Sequence, residues 1–311
     1  MDSRFILLIM KKLIIAAGTG FLGQVLVNHF EQTFDEIVIL TRGQNSIHGK
    51  IKYVHWDAKN LTGWETSLEN ADVLINLTGK SVDCRYTKKN KKEILLSRIE
   101  STKILNKAVL QCKNPPKHWL NSSTSTIYRF SLDKQMSEEN GEIGNDFSMN
   151  VAQSWEKAFF KYETPQTLKT AMRTSIVLGK KGGAFIPLKT LAKTGLGGKQ
   201  GKGNQYISWI HETDFAKAIE FIIQKEMTGV INIVSPNPII NADFMKKLRI
   251  AVGQFVGISM PTFLLKIGSF IIRTETELVL KSRNVIPKKL TDNGFKFEFP
   301  SIDIAFKNLL Q

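Results

Sequence analysis

One stretch decides the fold of the chain: Leu13-Ile14-Ile15-Ala16-Ala17-Gly18-Thr19-Gly20-Phe21-Leu22-Gly23. Its apolar first half predicts a short buried strand, and its three glycines have the spacing G-x-G-x-x-G. Residues 24–30 continue with apolar side chains at helical spacing, so a helix is predicted to follow directly. A glycine turn between a strand and a helix is the context in which this motif binds a dinucleotide.

Each glycine of the motif has a separate physical reason. One permits the tight turn, one lets a pyrophosphate approach the backbone, and one lets the helix pack close to the strand. The phosphates would lie at the helix N-terminus, where free N–H groups and the helix dipole favour negative charge. We therefore predict cofactor contacts from Gly18, Thr19, Gly20, Phe21, Leu22 and Gly23. An ordinary glycine-rich turn is the alternative interpretation.

The end of the second predicted strand bears on the choice of cofactor. Residues 36–40 read as a strand, and Thr41-Arg42 follow. An acidic residue here would bond the ribose 2′-hydroxyl of NAD, whereas an arginine accommodates the 2′-phosphate of NADP. No Asp or Glu lies between Val38 and Gly49. Thr41 and Arg42 therefore favour NADP(H), against the alternative of an ordinary surface arginine.

Further strand ends supply more candidate cofactor contacts. A third strand over 51–56 precedes Asp57, which we place at the adenine edge, and a fourth over 71–77 precedes Thr78-Gly79. Because parallel strands end at the same edge of a sheet, these residues are expected to meet at one crevice. The predicted contacts are Asp57, Asn76, Leu77, Thr78, Gly79 and Ser122.

Composition limits the classes of partner. The chain has 311 residues and a net charge of +15, which could suit nucleic acid, an anionic membrane surface or an anionic ligand. The lysines are scattered and do not alternate with aromatic residues, so we expect no nucleic-acid and no membrane partner. Cys84 and Cys112 have neither metal nor disulfide spacing, which favours a reducing cytoplasm and no metal site. We expect a monomer or homodimer.

The first residues resemble a signal peptide only faintly. An apolar run over 5–9 and Lys11-Lys12 suggest one, but cleavage would destroy the first strand and glycine turn. Met10 is a candidate start, with residues 1–9 as an extension.

A hydroxyl-rich strand end follows residues 119–120. Residues 121–128 read Asn-Ser-Ser-Thr-Ser-Thr-Ile-Tyr, and at the carboxyl end of a parallel strand such a cluster would face the ligand crevice. The spacing alone does not distinguish this from a merely polar strand end.

The composition changes near residue 180. Residues 179–205 hold seven glycines after Gly179, with lysines between them, and predict a long, mobile, basic segment near the ligand. We place the cofactor domain at 10–180 and a substrate lobe at 181–311, with the strand at 229–234 returning to the main sheet. Residues 261–282 read as helical and 287–311 as a short tail.

The chain resembles extended or atypical short-chain dehydrogenases/reductases, and more narrowly the YfcH-like NAD(P)-dependent "epimerase family" proteins with a small C-terminal domain of unknown function. The resemblance starts at Met10 and covers nearly all of the chain. Besides the glycine turn, it rests on 40–42, 75–79, 97–102, 155–156, 173–179, 208–211 and 235–238. It implies an α/β Rossmann-type doubly wound parallel sheet, a preference for NADP(H) and a smaller C-terminal substrate lobe.

The chain departs from the superfamily pattern at several places. Ala17 stands where another glycine is frequent, and Arg98 stands where the usual helical Asn falls. The Tyr-x-x-x-Lys pair, in which Tyr is the acid/base and Lys lowers its pKa, is missing: its places fall at about Ser148 and Ala152. Thr124 does stand four residues before Tyr128, as the superfamily's catalytic hydroxyl stands before the Tyr of its own stretch.

Two functions remain open at this point. The first is an NADP(H)-dependent oxidoreductase or nucleotide-sugar-epimerase-like enzyme with a non-standard acid. There, Thr124 or Ser123 would hold a substrate carbonyl, and Tyr128 or His211 would donate the proton; the alternative for His211 is a packed or capping histidine. Lys193, Lys199 and Lys202 would attract an anionic small-molecule substrate, against the alternative of ordinary solvated loop lysines. The second is a non-catalytic NADP(H)-binding sensor or scaffold, which the missing Tyr and Lys favour.

Overall fold

The computed structural model describes residues 10–263, 265, 275 and 280–311. Its thirteen described strands, numbered in chain order, are β1 Met10–Ala16, β2 Phe34–Thr41, β3 Ser46–His48, β4 Ile51–His55, β5 Val73–Asn76, β6 His118–Thr124, β7 Leu168–Thr174, β8 Ile176–Gly179, β9 Gly182–Gly183, β10 Tyr206–Ile207, β11 Trp209–His211, β12 Gly229–Ile233 and β13 Ile239–Ile240. The helices within the same ranges are α1 Phe21–Phe30, α2 Lys88–Gln111, α3 Phe147–Phe160, α4 Phe185–Lys193, α5 Glu212–Gln224, α6 Asn241–Ala251, α7 Lys288–Asp292 and α8 Ile302–Leu310.

Eight strands form one sheet in the order β12-β7-β6-β5-β1-β2-β4-β3. All neighbours are parallel except β3, which pairs antiparallel with β4. The strand order reverses between β1 and β5, where Ala16 lies opposite Asn76. In open α/β sheets, ligands bind outside the carboxyl ends of the strands at this switch point. The predicted Rossmann-type doubly wound fold is confirmed.

Two apolar layers cover the faces of this sheet. On one face α1 and α5 pack over the sheet with Leu26, Phe30 and Phe215 buried. On the other face α2 and α3 pack with Leu105 and Phe159 buried. The strand Gly229–Ile233 pairs with β7 at the edge of the main sheet, although it follows the Gly-rich segment in sequence.

A third apolar core lies beside the carboxyl edge of the sheet. It joins α4, α6 and α8 to the small sheet β11-β8-β9 through residues such as Phe185, Trp209, Phe244 and Phe306. This core gives the C-terminal third of the chain its own apolar centre.

Two predictions of irregular structure were wrong. The segment 179–205 contains α4, whose buried Phe185 and Ala192 lie seven residues apart on one helical face. The residues 287–311 contain α7 and α8, and α8 buries Ile302, Phe306 and Leu309 at helical spacing. In both places the apolar periodicity spans only two or three turns, so neighbouring glycines and aromatic residues masked it.

The helix predicted over 261–282 lies largely outside the described residues, as do residues 1–9. Within the parts of the chain that the structure describes, no helix has the length and apolar character needed to cross a membrane.

Candidate functional site

The glycine turn between β1 and α1 is built from three different constraints. A Cβ on Gly23 would overlap the carbonyl group of Gly18, so only glycine lets α1 approach the turn. A Cβ on Gly18 would lie 3.0 Å from the Ile15 side chain and 3.1 Å from that of Ile39. At Gly20, which caps α1, no atom lies within 4 Å of such a Cβ. The fold therefore requires Gly23 and leaves little room for a side chain at Gly18, whereas Gly20 faces open space at a helix N-terminus.

Ala17 has the backbone conformation of a glycine. Its φ is 60°, in the left-handed region, and its N–H donates to the carbonyl of Leu40 at 2.8 Å. A non-glycine residue is disfavoured in that region, so the turn holds some backbone strain at this position.

Phe21 and Leu22 begin α1 and are partly buried. The ring of Phe21 lies against the backbone of β8 and β9, where a Cβ on Gly182 would be 2.5 Å and one on Gly183 2.9 Å from it. A Cβ on Gly179 would also overlap this ring. Phe21 therefore joins the glycine turn to the small sheet, while Thr19 is exposed beside it.

Arg42 is exposed at the end of β2. Its guanidinium has no hydrogen bond or ion pair with any residue that the structure describes. The hydroxyl of Thr41 accepts from the N–H of Gly43 at 3.2 Å and fixes the turn after the strand. A cation without a counter-ion thus stands one strand away from the glycine turn.

Asp57 forms a local cap in the loop after β4. Its Oδ1 accepts from the N–H groups of Lys59 and Asn60, both at 2.8 Å, and its Oδ2 accepts from the side-chain amide of Asn60 at 2.6 Å. These hydrogen bonds, chiefly that from the Asn60 N–H, lower the pKa of Asp57. The carboxylate is therefore ionised and already shaped by its own loop.

The ends of β5 and β6 are joined by side-chain amides. Asn76 donates to Asn121 at 2.7 Å and its Oδ1 accepts from the N–H of Thr78 at 3.0 Å. Leu77 continues the pairing with β1 through its N–H, which donates to the carbonyl of Ala16 at 3.0 Å. The Thr78 hydroxyl is buried and has no hydrogen-bond partner among the described residues, and Gly79 beyond it is exposed. An unsatisfied buried hydroxyl at a ligand crevice is suited to a bound polar group.

The hydroxyls at the end of β6 lie on two faces. Ser122 and Thr124 are partly exposed, whereas Ser123 is buried between them, as strand alternation requires. Thr124 caps the short helix Ser125–Ile127: its Oγ1 accepts from the N–H of Thr126 at 3.1 Å and donates to the Thr126 hydroxyl at 2.9 Å.

Ser123 and Tyr128 belong to a buried polar network. Ser123 donates to Glu156 at 2.6 Å, and Arg173 donates two hydrogen bonds to the same carboxylate, at 2.8 Å and 2.7 Å. Arg173 also donates to the hydroxyl of Tyr128 at 2.9 Å, which in turn donates to Asn232 at 2.9 Å. Burial raises the pKa of Tyr128. These contacts give both hydroxyls structural partners.

His211 is buried and caps α5. Its Nδ1 accepts from the N–H of Thr213 at 3.1 Å, its Nε2 lies 3.2 Å from Asn308 Oδ1, and its ring stacks on Phe299 at 3.8 Å. Burial lowers its pKa to about 4, so the ring is neutral near pH 7. Its contacts are those of a helix cap.

The place of the missing Tyr is occupied by a small charged cluster. Ser148, in the first turn of α3, donates to Oδ1 of its N-cap Asp146 at 3.0 Å. Lys281 forms an ion pair with Asp146 and lies 3.3 Å from the Ser148 hydroxyl. Ala152, at the place of the missing Lys, is buried. Lys281 could not be found from the sequence, because it lies 133 residues beyond Ser148.

The site as a whole fits a dinucleotide. Three features lie at the carboxyl edge of the sheet: the open space at Gly20, the Arg42 guanidinium and the buried Thr78 hydroxyl. The last two have no partner among the described residues. The predicted contacts Gly18–Gly23, Thr41, Asn76–Gly79 and Ser122 are all at strand ends or turns of this edge. Tyr128 and His211 have their polar atoms occupied elsewhere.

Comparison with known proteins agrees with this architecture. Residues 13–146 match the NAD dependent epimerase/dehydratase family, and residues 260–309 match a domain of unknown function, DUF1731. Epimerase family protein SAR0825 of Staphylococcus aureus is 33% identical over 304 residues, 97% of this chain and 99% of the relative. Epimerase family protein YfhF of Bacillus subtilis is 31% identical, over 95% of this chain and 97% of its own.

Two solved structures are similar over almost all of the chain. Human epimerase family protein SDR39U1 with NADPH has a TM-score of 0.85 and 27% identity, covering 96% of this chain and 98% of the human one. A nucleoside-diphosphate sugar epimerase from Corynebacterium glutamicum has a TM-score of 0.77 and 27% identity, covering 97% of this chain and 58% of its own. From the glycine turn to the C-terminal domain, the chain is a member of the NAD dependent epimerase/dehydratase family, in the group named epimerase family proteins.

Proposed function

We propose that the protein binds NADP(H), with the pyrophosphate at Gly18–Gly23 and the 2′-phosphate at Arg42. The observation that carries this proposal is the exposed Arg42 guanidinium, which follows β2 and has no acidic partner among the described residues. An arginine at this position complements a phosphate, while the absence of a carboxylate removes the group that would select NAD. The presence of NADPH in the similar human protein supports the same choice.

The remaining cofactor contacts follow from the strand ends. Asn76 and Leu77 set the turn after β5, and Thr78 has a buried hydroxyl in need of a partner. Gly79 and Ser122 extend the same edge, and Thr41 holds the turn that presents Arg42. We assign Asp57 to the adenine side as an ionised acceptor held by its own loop.

We further propose an oxidoreductase or nucleotide-sugar-epimerase-like reaction, with residues 10–180 holding the cofactor and 181–311 contributing the substrate side. When bound, the nicotinamide supplies the hydride chemistry, and the protein must orient a substrate and handle one proton. Thr124 is the best-placed predicted hydroxyl, because it is partly exposed at the crevice. Exposed Lys193, Lys199 and Lys202 favour an anionic substrate. The C. glutamicum relative makes a nucleotide sugar a reasonable class to test.

A non-catalytic NADP(H)-binding protein is the second candidate. The observation that favours it is the place of the missing Tyr-x-x-x-Lys pair, where Ser148 bonds to Asp146 and Ala152 is buried. In that case, cofactor binding would be retained without turnover.

A paired titration with NADPH and NADH tests the cofactor. The intact protein should bind NADPH more tightly, and Arg42→Ala should weaken NADPH by about 10-fold or more while leaving NADH nearly unchanged. Equal weakening of both nucleotides would refute the 2′-phosphate role of Arg42. A panel of carbonyl compounds and nucleotide sugars with NADPH, compared with Thr124→Val, then separates enzyme from sensor. Turnover that depends on Thr124 supports the enzyme, and no turnover with tight NADPH binding supports the sensor.

A further inference from the structure

Arg98 is a cation for which the described protein provides no counter-ion. It lies in the middle of α2, at the helical position where the resembling superfamily usually carries Asn. No carboxylate forms an ion pair with it in the described ranges. Burial lowers its pKa to about 10, so the guanidinium is nevertheless charged near pH 7. The residue is partly buried, and burying a charge even in part without a partner is costly, so structural arginines are normally paired.

The guanidinium is held in a fixed orientation. Its Nη1 donates to two carbonyl oxygens, that of Lys80 at 3.1 Å and that of Ile94 at 2.9 Å. Its Cζ lies over the ring of Trp155, 5.0 Å from the ring centroid. Trp155 is itself fixed, because its Nε1 donates to the Thr102 hydroxyl at 3.0 Å. One nitrogen and one face are therefore used for positioning.

The other edge of the guanidinium is free of protein partners. Nε and Nη2 have no hydrogen-bond acceptor among the described residues. Exposed Gly79 lies over the group, since an added Cβ there would be 3.0 Å from Cζ, 3.1 Å from Nη2 and 3.3 Å from Nε. Gly79 follows β5 at the carboxyl edge of the sheet, so the guanidinium of Arg98 is next to the ligand crevice.

We propose that the Nε–Nη2 edge of Arg98 binds an oxyanion of a ligand, a phosphate or carboxylate group, as a bidentate partner. Two parallel N–H groups in one plane match the geometry of two oxyanion oxygens, which a lysine does not reproduce. The anion would supply the counter-ion that the protein lacks. The location in the cofactor crevice rests on the proposed function. Two sources carry this chemistry: the pyrophosphate of the dinucleotide and an anionic group of the substrate.

The test compares the intact chain with Arg98→Met and Arg98→Lys, and uses Arg42→Met as the matched control. Circular dichroism first establishes that each variant is folded. NADPH and NADH affinities are then measured by titration. Thermal unfolding is followed with inorganic pyrophosphate or malonate, with and without saturating NADPH.

If Arg98 holds the cofactor pyrophosphate, Arg98→Met weakens NADPH and NADH equally, by about 10- to 100-fold, whereas Arg42→Met weakens NADPH alone. If it holds a substrate anion, both affinities stay unchanged, and the stabilisation of the NADPH-saturated protein by malonate or pyrophosphate is lost. In either case, the affinity or anion response of Arg98→Lys should lie between those of the intact protein and Arg98→Met. Arg98→Lys also replaces Arg98→Met if that variant does not fold.

A folded Arg98→Met with unchanged nucleotide affinities and an unchanged response to both anions would overturn the proposal. Failure of the intact protein to bind either nucleotide would refute the proposed function instead. The response of the free protein to pyrophosphate and malonate would then still decide for or against Arg98.

Discussion

Arg173 and Glu156 form a buried two-point ion pair, with nitrogen–oxygen distances of 2.8 Å and 2.7 Å, that joins β7 to α3. Ser123 bonds to the same carboxylate, so three elements meet at one charged group. Removing one member of a buried pair leaves the other charge uncompensated, which typically costs about 3–5 kcal/mol.

We therefore expect Glu156→Gln to lower the free energy of unfolding by about 3 kcal/mol, measured by denaturant titration. Glu93→Gln is the control, because the Glu93–Lys80 pair is partly exposed and solvent screens such pairs, so its loss should have a much smaller effect. Equal effects of the two substitutions on the free energy of unfolding would show that the buried pair contributes no more to stability than the Glu93–Lys80 pair.

Two substitutions in the glycine turn should affect folding and cofactor binding separately. Gly23→Ala places a Cβ on the Gly18 carbonyl, so it should destabilise the protein severely. An added Cβ at Gly20 has no protein atom within 4 Å beyond its chain neighbours, and the φ of −79° is ordinary, so Gly20→Val should fold but lose NADPH binding. Thermal unfolding and an NADPH titration measure the two effects. Undiminished NADPH affinity in Gly20→Val would rule out a pyrophosphate at this glycine.

Ala17→Gly should stabilise the protein. The φ of 60° costs an alanine about 1 kcal/mol, and glycine removes this cost while adding some freedom to the unfolded chain. We expect a net gain of up to about 1 kcal/mol in denaturant titration. Ala58→Gly is a matched control in a loop, because Ala58 has a φ of 63°. A loss of stability in both variants would mean that the cost of the left-handed alanine backbone is smaller than the cost of the freedom that glycine adds to the unfolded chain.

Tyr128→Phe separates a structural from a catalytic hydroxyl. The substitution removes the hydroxyl that accepts from Arg173 Nη1 and donates to Asn232 Oδ1, so stability should fall by about 1–3 kcal/mol while NADPH affinity stays unchanged. Tyr162→Phe, at an exposed position, should change neither. Full stability of Tyr128→Phe together with abolished turnover would instead identify Tyr128 as the proton donor.

Acid should destabilise the protein partly through its buried histidines. Burial lowers the pKa of both His118 and His211 to about 4, against an ordinary 6.5. The unfolded chain therefore takes up protons first, and stability that is complete above pH 6.5 is lost as the pH falls towards 4. Each histidine contributes up to about 3 kcal/mol to this loss.

His211→Asn tests the pH dependence at one site. Asn is a good helix cap, so α5 keeps an acceptor for the Thr213 N–H while the titrating ring is removed. Denaturant titrations at pH 7 and pH 4.5 should show a smaller difference in this variant than in the intact protein. An unchanged difference would assign the acid sensitivity to other groups.

The parts of the molecule that follow from local sequence were predictable. The strand, glycine turn and helix over 13–30 depend on side chains close together in the chain, and so does the end of β2 at Arg42. The partners of Tyr128 were not predictable, because Arg173 and Asn232 lie 45 and 104 residues away. A capping role for His211 is among the alternatives that the sequence allows, but its stacking on Phe299 depends on the C-terminal fold. Long-range pairing of this kind leaves no periodic signal in the sequence.

The ring of Phe21 has a consequence for how the sequence can vary. Three glycines, Gly179, Gly182 and Gly183, surround it so closely that a methyl group on any of them would collide with it. These glycines lie more than 150 residues from Phe21 in the chain, yet its aromatic ring imposes a common size limit on them. At Gly182 the three nearest atoms to an added Cβ all belong to Phe21, so a substitution there should be tolerated only after Phe21 has become smaller. Gly179 and Gly183 are limited in addition by Glu212 and by the Val177 carbonyl. In an alignment of relatives, positions 21 and 182 are therefore expected to change together.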